Sequence, residues 1–288
     1  MGVSLTNVSN LLTTESTGLP AADFVAQAGT VQTTFDRSLI SGNVSWLVDT
    51  PDGRFFCKSA GNTEPPPGAP APYFDHRGRV SLLRNAAALA RSCNHPVLAS
   101  LRAVVETATG PLLVYDVAPG ELVNVPRSQR SDPSSAYRRF ARAPAGVRLR
   151  IFDQLLDAHA ALGDGGWVAS DLYDGCMLVD DDRLTLIDLD TYHRGPFLNT
   201  MGRMFGSTTY MAPEEFNLGA VIDLRTTVYT LGRLIWHFGT GITEDAAEFC
   251  GTPAQADAVR QACATDQKDR WTDPAQFTTA WRSSALAK

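Results

Sequence analysis

Three ionisable side chains in this sequence stand inside or directly after apolar runs. Lys58 follows Phe-Phe-Cys, Asp171 follows Trp-Val-Ala-Ser, and Asp188 follows Leu-Thr-Leu-Ile. Each has an ordinary structural explanation, because a lysine can extend its ammonium from a sheet edge and an aspartate can cap a turn. A carboxylate at the end of a buried strand can also hold a metal ion. Taken together and in this order, the three residues favour a functional site over three structural ones.

The first 120 residues predict a small sheet that carries Lys58. Apolar residues alternate through 43–49, a Pro-Asp-Gly turn follows, and a second strand covers 54–59, which together predict a β-hairpin. Apolar residues between Val80 and Ala90 predict a helix, and runs at 101–107 and 111–117 around Gly110 predict a second hairpin. This part of the chain is therefore expected to be mostly sheet with one helix.

The remaining residues predict a helical region that carries the two aspartates. A helix is expected up to Gly163, followed by two short strands at 176–179 and 184–187, a helix from Thr226 and another at 274–284. Residues 126–150 are polar and arginine-rich, which predicts a solvated linker, with an anionic partner as the alternative. The acidic turn at 180–182 is expected to be a solvated hairpin turn, and His159 a core residue.

Composition excludes several classes of protein. A net charge of −6 and a pI near 5.4 argue against a binder of nucleic-acid backbones, which needs a basic face. No apolar run approaches the roughly 20 residues of a membrane helix, and the N-terminus has no pattern of an export signal. The five cysteines are scattered without a Cys-x-x-Cys pair, which fits a reducing compartment. We expect a cytoplasmic protein with no membrane and no nucleic-acid partner.

The order of motifs resembles that of eukaryotic-like (Hanks-type) bacterial serine/threonine protein kinases, as a divergent member. The run ending in Lys58 resembles the kinase Val-Ala-Ile-Lys strand, residues 171–178 the catalytic loop, and 186–190 the metal-binding Asp-Phe-Gly. The most specific match is Gly-Ser-Thr-Thr-Tyr-Met-Ala-Pro-Glu at 206–214, which resembles the end of the activation segment. Arg270 resembles the arginine that pairs with the glutamate of Ala-Pro-Glu, here Glu214.

The resemblance implies an α+β, two-lobed protein-kinase-like fold with a β-rich N-lobe and an α-helical C-lobe. The implied N-lobe covers 29–120 and the implied C-lobe covers 121–288. They follow an N-terminal extension at 1–28, and the sequence does not decide whether this extension has an ordered structure. The implied ligands are ATP and Mg²⁺. Asp171 would accept the proton of an acceptor hydroxyl, Asp188 and Asp190 would hold the metal, and the following residues would contact the nucleotide: Lys58, Gly42, Asp116, Val117, Ala118 and Cys176.

Departures from the family pattern keep three functions open. The glycine-rich loop is reduced to Gly42, the helix glutamate that should orient Lys58 is Ala86, and the second metal ligand is Cys176. Ser170 replaces the arginine that would receive an activation-loop phosphate. The leading hypothesis is an ATP- and Mg²⁺-dependent phosphotransferase that acts on a hydroxyl acceptor and is serine/threonine-kinase-like. The alternatives are a kinase of a small molecule, such as an antibiotic or metabolite, and a pseudokinase that binds nucleotide or a partner without turnover.

Overall fold

The computed structural model describes residues 10–36, 41–64 and 71–286, which separate into two compact units. Unit 1 comprises Met1–Arg91 and Ala99–Ala118, and unit 2 comprises Ser92–Leu98 and Pro119–Lys288, as far as their residues are described. The change of unit at 118–119 lies two residues from the boundary predicted at 120. The described chain is of mixed α+β class, with a five-stranded antiparallel sheet and seven α-helices.

Unit 1 is built on the five-stranded sheet. Its strands are β1 (Thr30–Phe35), β2 (Val44–Thr50), β3 (Gly53–Ser59), β4 (Leu101–Thr107) and β5 (Gly110–Asp116), in the spatial order β1-β2-β3-β5-β4. Both predicted hairpins, β2–β3 and β4–β5, are confirmed. Strand β1 was not predicted, because its sequence does not alternate between apolar and polar residues. All six of its residues are exposed, so neither face of the strand needs to be apolar.

Helices cover both faces of this sheet. Helix α1 (Ala21–Ala28) buries Phe24 and Val25 against the face that carries Trp46, Val48 and other apolar side chains. The predicted helix in 80–90 is confirmed as α2 (His76–Ser92). It packs Leu83, Ala86 and Ala87 on the opposite face of the sheet. Residues 10–28, expected to be a separate extension, thus belong to unit 1, since α1 supplies part of its core.

Unit 2 contains the other helices. They are α3 (Ala136–Ala141), α4 (Ala145–Asp164), α5 (Leu224–Gly239), α6 (Pro253–Ala262) and α7 (Pro274–Ala285). The predicted helices at the positions of α4, α5 and α7 are confirmed. The expectation of a solvated linker at 126–150 is wrong in part, because α3 and the start of α4 lie within it, with Tyr137 and Phe140 of α3 buried. Helix α6 was not predicted; it begins with a capping box at Thr252 and Gln255.

Short strands connect the helices of unit 2. Strands β6 (Glu121–Leu122), β8 (Met177–Asp180) and β9 (Arg183–Leu186) form one small sheet, which confirms the two predicted strands. Strand β7 (Trp167–Val168) pairs with β10 (His193–Arg194), and β11 (Phe197–Leu198) pairs with β12 (Val221–Ile222). In the described ranges, every helix is too short or too polar to span a bilayer.

Candidate functional site

Lys58 lies on β3 in unit 1, opposite Ser45 of β2 and Leu113 of β5. The alternation of β3 turns Phe55 and Cys57 into the core shared with α1, so that Lys58 points to the other face of the sheet, where α2 packs. Its side chain is half-buried and makes interactions within the protein. The strand therefore presents this lysine toward the face of the sheet that α2 covers.

Ala86 lies on α2, at the position where the family pattern has a glutamate that orients the lysine. It is buried in a cluster with Leu113, the cross-strand neighbour of Lys58, and with Ala60 and Leu83. The helix face toward Lys58 is thus apolar at this position. Any partner that orients the ammonium must come from outside this apolar cluster.

The other residues predicted to contact nucleotide in unit 1 lie in the loop before β2 and at the end of β5. Gly42 has φ +72°, and a Cβ there would lie 2.7 Å from Pro72 and 3.2 Å from the Arg79 guanidinium. Arg79 itself donates to the carbonyl oxygens of Ala60, Asn62 and Phe74, so the glycine is packed against a fixed cation. The other glycine-rich-loop positions at 37–40 lie outside the described residues.

Asp116 is the last residue of β5, and Val117 and Ala118 follow it at the end of unit 1. Asp116 pairs with Arg102 at 3.0 Å, and both side chains are close to half-exposed. Val117 is 42% exposed, and Ala118 is the last residue of the unit. Val117 is thus the more exposed of the two residues that follow the strand.

Asp171 and Asp188 form a pair of interacting carboxylates in unit 2. Burial, together with a smaller contribution from the negative charge of Asp188, raises the pKa of Asp171 to about 7. Both residues have left-handed backbone conformations, with φ of +56° and +61°. Such conformations cost free energy in residues other than glycine and concentrate at functional sites. Two carboxylates that interact in this way are suited to bind a cation.

Cys176 holds the two aspartate loops together by donating one hydrogen bond and accepting another. The thiol lies 3.5 Å from the carbonyl oxygen of Asp171, and the amide of Ile187 donates to the carbonyl oxygen of Cys176 at 2.9 Å. Cys176 is fully buried, and burial raises its pKa well above the ordinary thiol value. The residue predicted to contact nucleotide therefore turns its thiol inward and connects the loop of Asp171 with the strand end before Asp188.

Tyr173 takes the position two residues after Asp171 and folds back over Gly175. A Cβ on Gly175 would overlap the Tyr173 ring, so glycine is required for this packing. Burial raises the pKa of the Tyr173 hydroxyl above its ordinary value, with smaller contributions from neighbouring groups that include Asp171 and Asp188. The aromatic ring thus contributes to the low-dielectric surroundings of the carboxylate pair.

Asp190, predicted as a second metal ligand, is buried, with 6% of its surface exposed, and interacts within the protein. Asp188, in contrast, is exposed. Among the described residues there is no group of three or more His, Cys, Asp and Glu side chains arranged to hold a metal ion. Mg²⁺ in phosphotransferases is held by one or two carboxylates together with substrate phosphates, so the donor set fits a metal that arrives with a phosphate ligand.

The predicted pair of Glu214 and Arg270 is confirmed. The guanidinium binds the carboxylate through two hydrogen bonds of 2.7 and 2.9 Å, and both side chains are almost completely buried. Burial acts to raise the pKa of Glu214, but the hydrogen bonds from Arg270 and Gln267 more than offset it, so that the pKa lies below its ordinary value. Thr226 at the start of α5 also donates to Glu214, at 2.8 Å. The Met-Ala-Pro-Glu segment is therefore fixed to two distant parts of unit 2.

This fixed segment lies beside Asp171. Gly206 has φ +132°, and a Cβ at this position would lie 3.6 Å from Asp171 Oδ1 and 3.1 Å from Met211. The carboxylate of Asp171 is thus next to the first residue of the 206–214 motif, although 35 positions separate them in the sequence. The motif that carried the family resemblance is therefore located at the predicted catalytic residue.

The arginines of residues 126–150 are used mainly within the protein. Arg130 pairs with the buried Asp174 at 3.2 Å, Arg150 pairs with Asp182 at 2.8 Å, and Arg139 pairs with Glu121. Arg148 donates to carbonyl oxygens at the end of α5. These pairings argue against a continuous surface for an anionic partner. The Arg130–Asp174 pair was missed because 44 residues separate its members and no motif connects them.

Two structural expectations for the surroundings of the site are confirmed. Residues 180–182 form the turn between β8 and β9, with Asp181 at φ +53°. His159 is buried, its ring nitrogens lie 2.8 Å from Leu155 O and 2.8 Å from the Tyr192 hydroxyl, and burial lowers its pKa to about 4. It is a neutral core residue.

In comparisons with known proteins, the chain matches no family model and no curated sequence.

Proposed function

We propose that the chain is an ATP- and Mg²⁺-dependent phosphotransferase of protein-kinase-like type that transfers the γ-phosphate to a hydroxyl. The observation that carries the proposal is the Asp171–Asp188 pair, two interacting carboxylates in which the more buried one has a pKa of about 7. A carboxylate with that pKa is suited to accept a proton near neutral pH.

In this proposal each carboxylate has a separate role. Asp171, beside the 206–214 segment, would orient the acceptor hydroxyl and receive its proton. Asp188 is exposed and would bind Mg²⁺, which when bound neutralises charge on the phosphates. Lys58, held on a strand of unit 1, would bind the phosphates through its ammonium. Cys176 would act only by holding the two loops together.

The buried Glu214–Arg270 pair favours a protein as the acceptor. It fixes the 206–214 segment beside Asp171, where an extended substrate chain would lie in a protein-kinase-like enzyme. A small-molecule kinase would not need a fixed platform at this place. The acceptor is therefore proposed to be a serine or threonine hydroxyl in a polypeptide.

A pseudokinase is the second candidate, and Ala86 is the observation in its favour. The position on α2 that packs against the neighbour of Lys58 carries no carboxylate to orient the ammonium. In this case ATP would bind weakly and without dependence on Mg²⁺, and no phosphate would be transferred.

Calorimetric titration and a transfer assay test the two candidates together. ATP is titrated with and without Mg²⁺ into wild type, Lys58→Met and Asp188→Asn, and transfer to a mixed Ser/Thr peptide library is followed by mass spectrometry. We expect Mg²⁺-dependent binding that either substitution weakens by tenfold or more, about 1.4 kcal/mol, and transfer that Asp171→Asn abolishes.

The matched controls use the same chemical changes at exposed positions. Lys268→Met removes an exposed ammonium, and Asp180→Asn changes a carboxylate at the β8–β9 turn. Both are expected to bind and transfer like wild type, as is Cys176→Ser, because a hydroxyl can replace the thiol as donor to Asp171 O. Binding that is insensitive to Mg²⁺ and to Asp188, without transfer, would favour the pseudokinase.

A further inference from the structure

Asp174 is a fully buried carboxylate with one cationic partner among the described residues. It lies three positions after Asp171 and begins the 3₁₀ turn Asp174–Cys176. Arg130 binds its Oδ2 at 3.2 Å and also donates to Asn124 at 3.0 Å. A buried charge without its partner is costly, so the position of this turn depends on where Arg130 is held.

Arg130 is in turn held by an aromatic and polar chain that leads to α5. Its guanidinium stacks over the ring of Tyr137, 4.9 Å from the ring centroid. The Tyr137 hydroxyl lies 2.6 Å from His237 Nε2, and His237 Nδ1 lies 2.6 Å from Glu244. Because a carboxylate only accepts, neutral His237 donates from Nδ1 to Glu244 and accepts at Nε2 from Tyr137. Donation therefore runs from Tyr137 through His237 to Glu244, while Arg130 donates in the other direction, to Asp174.

The same carboxylate also faces the 206–214 segment. The Tyr210 hydroxyl and Asp174 Oδ1 are buried and make no hydrogen bond of ordinary geometry among the described residues, yet each group influences the other's pKa. The Tyr210 ring packs edge-to-face on His237, with centroids 5.6 Å apart. Asp174 thus lies between Arg130 and the 206–214 segment, and Arg130 and Tyr210 connect it to Tyr137 of α3 and His237 of α5.

We infer that Arg130 is a positioning residue for Asp171. Arg130 neutralises and fixes Asp174, and thereby holds the turn that places the Asp171 carboxylate beside the 206–214 segment. Tyr137 and His237 support Arg130 in this role. The inference rests on the proposed function for its kinetic consequence, but the positioning itself is a property of the folded chain.

Hydrogen exchange tests the positioning without any activity measurement. In Arg130→Gln, we expect amide exchange in peptides covering 171–177 to accelerate by about tenfold or more, while α6 and α7 exchange as in wild type. In the double variant that also carries Asp174→Asn, the carboxylate left without its partner is gone. The exchange rates of 171–177 should then return to within about threefold of wild type. Arg139→Gln, which removes a guanidinium from an exposed pair, is the matched control and should leave 171–177 unchanged.

Kinetics supply a readout that a purely structural pair would not move. Arg130→Gln should lower kcat about tenfold or more with KM for ATP changed less than about twofold, and Asp174→Asn in that background should restore kcat. If Arg130→Gln does not fold, Tyr137→Phe, which removes only the hydroxyl bonded to His237, should give the same local pattern to a smaller extent.

The outcomes separate this inference from the proposed function. Local exchange at 171–177 that stays at the wild-type rate, or that rises equally throughout unit 2, would overturn the positioning role whatever the activity. A wild-type chain that transfers no phosphate, but shows the local effect and its rescue, would overturn the phosphotransferase and leave the positioning of this loop established.

Discussion

At the scale of single residues, Asp171 should make stability depend on pH in an unusual direction. Its pKa is about 7 in the folded chain, against about 3.9 for an unperturbed aspartate. Between these values the folded state holds a proton that the unfolded state does not, so the free energy of unfolding falls as pH rises through this window. The loss is complete above pH 7 and absent near pH 4.

We therefore expect Asp171→Asn to be more stable than wild type at pH 8, by about 1–3 kcal/mol after allowance for partial exposure. Near pH 4 the two should be equally stable. Urea unfolding at both pH values measures the difference, with Asp180→Asn as an exposed control. A stability difference that is the same at both pH values would show that Asp171 does not titrate in this window.

At the scale of elements, the Glu214–Arg270 pair connects the 206–214 segment to the start of α5 and to the loop before α7. Arg270 also donates to the carbonyl oxygen of Arg225. Glu214→Gln leaves a buried guanidinium without its counter-charge, which we expect to cost about 3–5 kcal/mol of unfolding free energy. The exposed pair of Asp153 and Arg282 is the control, since Asp153→Asn should cost no more than about 1 kcal/mol. Equal costs at the two sites in urea titrations would contradict this expectation.

Helix α1 should behave as part of the core of unit 1. Phe24 is 1% exposed and packs in the cluster that contains Trp46 and Phe55. Phe24→Ala should cost about 3–5 kcal/mol, because it leaves a cavity beside the sheet. Asp23→Ala, one position away on the exposed face of α1, should change stability by less than about 0.5 kcal/mol. If thermal unfolding gives the same stability for the two variants, α1 is dispensable for the core of unit 1.

At the scale of the whole molecule, the proposed activity should not depend on phosphorylation of the chain. Ser170 offers no guanidinium at the place where a phosphate on the 206–214 segment would be received, and Arg203 is occupied with the carbonyl oxygens of Met204 and Gly206. Phosphatase-treated protein should therefore transfer phosphate at the untreated rate, measured with intact mass to verify dephosphorylation. A severalfold loss that rephosphorylation of Thr200, Ser207, Thr208 or Thr209 restores would contradict this.

The sequence by itself determined the elements whose local signals are strong. The hairpins β2–β3 and β4–β5 have turn residues between alternating strands, and α2, α4, α5 and α7 have apolar residues at helical spacing. The pairing of Glu214 with Arg270 was also predictable, because both residues belong to recognisable motifs. Such features depend on residues that are near in sequence or on a known spacing.

Other features depend on contacts between residues that are distant in sequence, and only the tertiary structure decided them. Helix α1 has too few residues to be stable alone, and β1 is exposed throughout; both are specified by the sheet on which they pack. The raised pKa of Asp171 arises from burial and from the charge of Asp188, neither of which is a property of its neighbours in the chain. The role of Arg130 was hidden for the same reason, since an arginine in a polar segment is usually solvated until a buried carboxylate, here Asp174, is placed beside it by the fold.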